Sequence, residues 1–269
     1  MRRWLLVPLL LLCAAFTQPA GPAEPVRLWP NTSFRTGEVL RYKVHYGIIN
    51  GGEALIETSS AIERVADRPC YRATVSGHTI GSLDYFMKVR DTWRAYIDTA
   101  SILPLRSSRD IAEGTYRKKE VVEFDQAHDV VNVLQTHTKE PIRYTFKVPN
   151  NVQELVSGFY FLRTLDYDRM KPGDIIHVGG FFDEGTFNLE VAYKGREVVE
   201  TKAGFIHAIK LVPKMPKNRI FRGEDAIKVY FSDDKNKIPV LFQAELFVGS
   251  MKVDLYKCEG LKAKLNLVK

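Results

Sequence analysis

Two neighbouring segments hold the densest set of reactive side chains, "VRDTWRAYID" from Val89 and "PLRSSRDIAEGTYR" from Pro104. Asp91 alternates with Val89, Trp93 and Ala95 on one strand face, an inward face by its pattern. If the intervening loop closes a hairpin, Asp91 stands opposite either Arg109 or Asp110, depending on a one-residue choice of register. Opposite Arg109 it forms an ordinary cross-strand ion pair. Opposite Asp110 it forms a carboxylate pair, in which one pKa rises and acid–base work becomes available. Together with Trp93, Arg106 and Tyr116, these residues are the expected ligand-binding set. The aromatic rings suit stacking on a sugar or lying along a lipid chain, and aromatic residues on strands also serve simply as core.

Other signatures of catalysis are weak. The histidines at 45, 78, 128, 137, 177 and 207 form no His-Glu-x-x-His motif, and no metal or cofactor is expected. Ser157 lies in "VSGF" without the flanking glycine of a nucleophile elbow. Gly51-Gly52 and Gly179-Gly180 read as hairpin glycines. Asp183 and Glu184 stand at a hairpin tip, where a solvated turn needs nothing further and calcium would need ligands from elsewhere. No catalytic residue is assigned.

The elements that must position these residues are mostly strands. "GEVLRYKVHYGIINGGEALIE" alternates, breaks at Asn50-Gly51-Gly52 and alternates again. About a dozen such runs follow, with turn signals every 8–12 residues. "GSLDYFMK" from Gly81 lacks alternation and reads as a short helical turn. One main helix is expected near 151–166, where Val152, Leu155, Val156, Phe159, Leu162 and Leu165 recur at helical spacing. Asn150 or Asn151 is the expected cap, with Glu154 in the capping-box position. Gly158 inside that helix points to close packing. The fold class is therefore mostly β: a single curled antiparallel meander sheet, a β-roll or open barrel, with one helix. The strand pattern fits a filled core and a ligand-holding space equally well. A space lined by Tyr42, Tyr46 and Trp93 would distinguish the second.

Within the 269 residues, 1–23 read as a signal peptide. Arg2 and Arg3 precede an apolar run from Trp4 to Phe16, and small residues and prolines follow. The run is shorter than the roughly 20 residues a membrane span needs, and no later stretch is longer. Lipidation at Cys13 is not expected, because Leu10-Leu11-Leu12 stand where a small residue is wanted. Residues 24–36 form an N-terminal extension, 37–260 one β-rich domain, and 261–269 an edge strand or tail. In an oxidising compartment Cys70 and Cys258 invite a disulfide; the alternative is two buried thiols. The formal charge of +7 is spread among acids rather than gathered into a stripe, so no nucleic-acid partner is expected.

Several stretches carry a family resemblance: the opening hairpin, "LPLRSSRDIAEGTYRKKEVVEFD", "SGFYFLRTLD", "TKAGFIHAIKLVP" and "YFSDDKNKIPVLFQAELFVGSMKVDL". In that order the chain resembles the bacterial exported proteins grouped as domain-of-unknown-function family 3108, from about Gly37 to Gly260. The resemblance implies a Gram-negative envelope location and a curled antiparallel sheet, and supplies no catalytic residues. Three readings follow: a periplasmic module binding a lipid-like or glycan-like ligand, an envelope protein binding a partner protein at a strand edge, and a hydrolase using Asp91 and Asp110. The first is preferred.

Overall fold

The computed structural model describes residues 25–214, 222–223 and 225–268. The segment read as a signal peptide, Cys13 included, lies outside them. The strands are β1 (Val39–Tyr46), β2 (Ile49–Thr58), β3 (Glu63–Val65), β4 (Arg68–Thr79), β5 (Arg90–Asp98), β6 (Pro104–Glu113), β7 (Tyr116–Asp125), β8 (Val130–Gln135), β9 (Ile142–Lys147), β10 (Ile175–Phe182), β11 (Gly185–Thr201), β12 (Gly204–Pro213), β13 (Ile227–Ser232), β14 (Pro239–Glu245) and β15 (Ser250–Glu259). The helices are α1 (Gly81–Phe86) and α2 (Leu155–Arg163).

All fifteen strands join one antiparallel sheet, ordered β10 to β15, then β1, β2, β4 and on to β9, with β3 paired only to β4. The chain's two halves thus form the sheet's two halves, and the first and last strands pair in the middle. The sheet does not close, because β9 and β10 are its free edges. Side chains from the β10–β11 turn nonetheless reach across this seam. Asp183 accepts from Arg109 (2.7 Å) and Lys118 (2.6 Å), and Glu184 accepts from Gln135 (2.6 Å). The turn expected to be merely solvated is therefore a latch. The Phe146 and Phe181 rings meet 5.3 Å apart across the same seam.

α2 lies inside the curl, with Val156, Tyr160, Phe161 and Leu162 in the main core. It is shorter than the helical spacing suggests, and Glu154 itself is the cap. Its carboxylate accepts from the Val156 and Ser157 backbone N–H groups, while Ser157 Oγ accepts from the Glu154 N–H. Asn150 and Asn151 do not cap because the backbone between them and the helix is already committed. Gln153 pairs with the edge of β10, its N–H donating to Gly179 O (2.9 Å) and its carbonyl accepting from Phe181 (2.8 Å). Gly158 faces β10, where an added methyl would just touch Val178.

The extension before β1 is packed. Phe34 is 1% exposed, and Ser33 Oγ donates to the Arg163 carbonyl (2.7 Å) at the end of α2. The C-terminal segment adds no full strand but is tied down: Leu267 bridges Ile206, Val268 N–H donates to Phe205 O, Ala263 is tied to Asn236, and Asn266 N–H donates to Asp234. Of the two alternatives the structure has free thiols, Cys70 buried and Cys258 half-buried, in separate apolar clusters. Two strands stand between β4 and β15, which sets the cysteines about 14 Å apart along the sheet. A disulfide bridges Cα atoms less than about 7 Å apart.

Candidate functional site

Between α2 and the inner face of the sheet lies a cavity of about 240 Å3. Tyr42, Ala54, Val75 and Trp93 line it from β1, β2, β4 and β5, and Val229, Leu241 and Val253 line it from the other half. It runs along α2 from Leu155, which is 45% exposed, down to Arg163, which is fully buried. At the helical rise this is about 12 Å. The walls are almost wholly apolar. Tyr42 spends its hydroxyl on the Pro239 carbonyl (2.7 Å), so its ring presents carbon to the space. Tyr46, expected beside it, lies instead at the end of β1, where its hydroxyl donates to Val248 O (2.6 Å).

The floor holds the charged lining residue. Arg163 donates in bidentate fashion to Glu38 (2.7 and 2.7 Å) and to the Asn236 carbonyl (3.0 Å). Its guanidinium lies over the Phe34 and Tyr160 rings. Burial works to lower its pKa, and the Glu38 charge outweighs this and raises it. Burial, followed by Glu38, pushes the neighbouring Tyr160 phenol up to about 12. Glu38, Arg163, Phe159 and Tyr160 were not among the expected site residues. Two charged residues far apart in sequence carry no local signal that they meet.

The expected polar set divides. Trp93 lines the cavity, and Arg109 is directly across the strand pair from it. Arg109 is held by Glu120 (2.8 Å) and Asp183, with its guanidinium over the Trp93 and Phe182 rings. Its donors therefore point to the seam latch, not the cavity. Asp91 faces neither Arg109 nor Asp110. A bulge between Tyr96 and Ile97 shifts the β5–β6 register by one residue, placing Thr92 opposite Asp110. Asp91 instead accepts from the Ala112 N–H (3.0 Å). Burial, then the Asp91 charge, raises the Glu113 pKa, so a carboxylate pair exists with a different partner. Asp110 is on the opposite sheet face from Asp91, exposed and paired with Lys119 (3.0 Å). Arg106 is likewise ion-paired outside, with Glu123, and Tyr116 is exposed at the start of β7.

Among the described residues no three His, Cys, Asp or Glu side chains cluster as metal ligands, and no helix is long and apolar enough to cross a membrane. A family model matches residues 41–256. The chain belongs to the DUF3108 family. That family is described as a protein of unknown function. This DUF3108 chain is similar in fold to a β-barrel-like protein of family DUF1849 from Brucella abortus, with a TM-score of 0.55 and 10% identity over 89% of this chain and 100% of that one. A hypothetical protein from Chlamydia trachomatis matches over 87% of this chain and 93% of its own, with a TM-score of 0.38 and 8% identity. No curated protein matches the DUF3108 chain.

Proposed function

We propose that this protein is an exported, periplasmic envelope component that binds a lipid-like ligand non-catalytically, holding an alkyl chain in the cavity along α2. The observation that carries the reading is the apolar cavity itself, about 240 Å3 with Trp93 in its wall. An apolar cavity of about 150 Å3 stays dry and takes up benzene. A larger dry space, open near Leu155, therefore favours an elongated apolar group. A glycan is disfavoured, because its hydroxyls would meet few polar partners on these walls. The buried Arg163 is already satisfied by Glu38 and Asn236, which leaves it little to offer a ligand headgroup.

Native mass spectrometry of protein purified from the periplasm tests this. The expected result is an adduct of lipid mass that is lost on denaturation. Ala54 lines the cavity, so Ala54→Trp fills it without removing a wall and should abolish the adduct. A lipid adduct that survives this substitution unchanged would overturn the assignment to this cavity. So would failure of the purified protein to bind any long-chain fatty acid when one is added.

A further inference from the structure

At one end of the sheet lie the polar turns Ala66-Asp67, Asp125 to Asp129, Lys202-Ala203 and Asp233 to Lys237, with Leu28, Ile62 and Phe205 also exposed there. At the other end lie the β1–β2 turn, α1, the β6–β7 turn and the β14–β15 turn, and these expose large apolar side chains. Ile48 is fully exposed, Tyr85 is 88% exposed and Phe86 82%, with Phe247, Val248 and Tyr116 also out. These turns touch in series. Tyr46 donates to Val248 O and Gly47 N–H to Ser250 O, joining the first and last hairpins. Ile80 N–H donates to Gly51 O, and Gly114 N–H to Lys88 O, joining α1 to the hairpins on either side.

Soluble proteins rarely leave so large a contiguous apolar rim in water without a use for it. The nearby charges favour one occupant. Asp84 is engaged by Arg90, and Glu245 by Lys228. Asp91 and Glu113 interact with each other, and among the described residues Lys88 makes no ion pair and Arg117 donates only to backbone carbonyls. Two cations without acidic partners, tyrosine rings with one polar edge, and aliphatic tips borne on separate turns match the headgroup zone of a bilayer. We propose that this end of the sheet docks on an anionic lipid surface, with Ile48, Phe86 and Val248 inserted among the acyl chains and Lys88 and Arg117 at the phosphates. The docking residues are distinct from the cavity residues, so the two readings can fail separately.

The test is co-sedimentation of the full mature chain with vesicles of phosphatidylcholine containing phosphatidylglycerol, and with phosphatidylcholine alone. Binding to the anionic vesicles is expected, weakened by salt. Ile48→Asp with Phe86→Asp should lower the bound fraction at least roughly tenfold. Both side chains are outside the core, so circular dichroism and thermal unfolding should match the parent. Lys88→Glu with Arg117→Glu should weaken binding to anionic vesicles alone. The Ala54→Trp variant should bind vesicles normally while losing the cavity ligand. Absence of binding at low salt, or rim variants that bind like the parent, would overturn the docking proposal and leave a protein partner as the rim's occupant. Loss of vesicle binding in Ala54→Trp would overturn the separation of the two surfaces.

Discussion

Substituting Arg163 tests the floor of the cavity. Arg163→Met keeps the apolar stem against Phe34 and Tyr160 but leaves Glu38, 1% exposed, without its counter-charge. Removing one partner of a buried ion pair costs about 3–5 kcal/mol, because the remaining charge stays desolvated. For a chain of this size each kcal/mol shifts the midpoint by about 2–4 °C, so a fall of roughly 6–20 °C is expected. Adding Glu38→Leu removes the stranded carboxylate and should recover at least about 2 kcal/mol of the loss, since apolar replacement of a whole pair is often neutral. The assays are thermal unfolding for the midpoint and equilibrium urea unfolding for the free energy, both followed by tryptophan fluorescence. Trp29 reports directly, because its indole N–H donates to Thr164 Oγ1 (2.7 Å) just past α2. The reasoning fails if the single variant loses less than about 1 kcal/mol, or if the double variant is no more stable than the single.

Three further outcomes are expected. Burial lifts the Glu154 carboxyl to about 7 against the pull of the Ser157 and Val156 N–H groups. The folded state thus holds that proton more tightly than the unfolded chain, and stability should fall as pH climbs from about 4.5 to 7, by up to ~3 kcal/mol; Glu154→Gln should flatten this part of a pH-dependent unfolding profile. Gly260 has φ +69°, and a β-carbon there would run into the Gly37 carbonyl. Gly260→Ala should therefore cost about 2–4 kcal/mol in the same unfolding assay, whereas Gly179→Ala, in open space, should change stability by less than about 1 kcal/mol. The denatured mature chain, without Cys13, should take up two thiol-labelling groups without reductant, and in the folded state Cys70 should label slowly, as burial, then Asp98, pushes its thiol up to about 11.

Alternation along the strands is a direct consequence of the pleat, so the β-rich class, the hairpin order and the short α1 turn were all legible in the sequence. The Asp91 register was not. Carrying the Ile97–Pro104 pairing onward would set Asp91 opposite Asp110, and a single bulged residue moves the whole face by one. The start of α2 was obscured for a similar reason: the pairing of Gln153 with β10 is tertiary, and it overrides the capping preference of Asn151. The cavity was beyond reach altogether. A strand facing another side chain and a strand facing an apolar space require the same pattern, and only the placement of α2 decides between them.

The pairing of the first and last strands also bears on how the chain comes to be folded. Almost every ladder joins strands close in sequence, so each half can zip up from local hairpins. β1 with β15 is the exception, since Val39 pairs with Glu259. Closing that loop costs about 3 kcal/mol more chain entropy than closing a ten-residue hairpin, and contacts of such separation slow folding. Both flanks of β1 and β15 are hydrogen-bonded in the finished sheet, yet one flank of each must wait for the other. The N-terminal half therefore carries an open strand edge from the moment it forms until the last strand of the chain arrives to cover it.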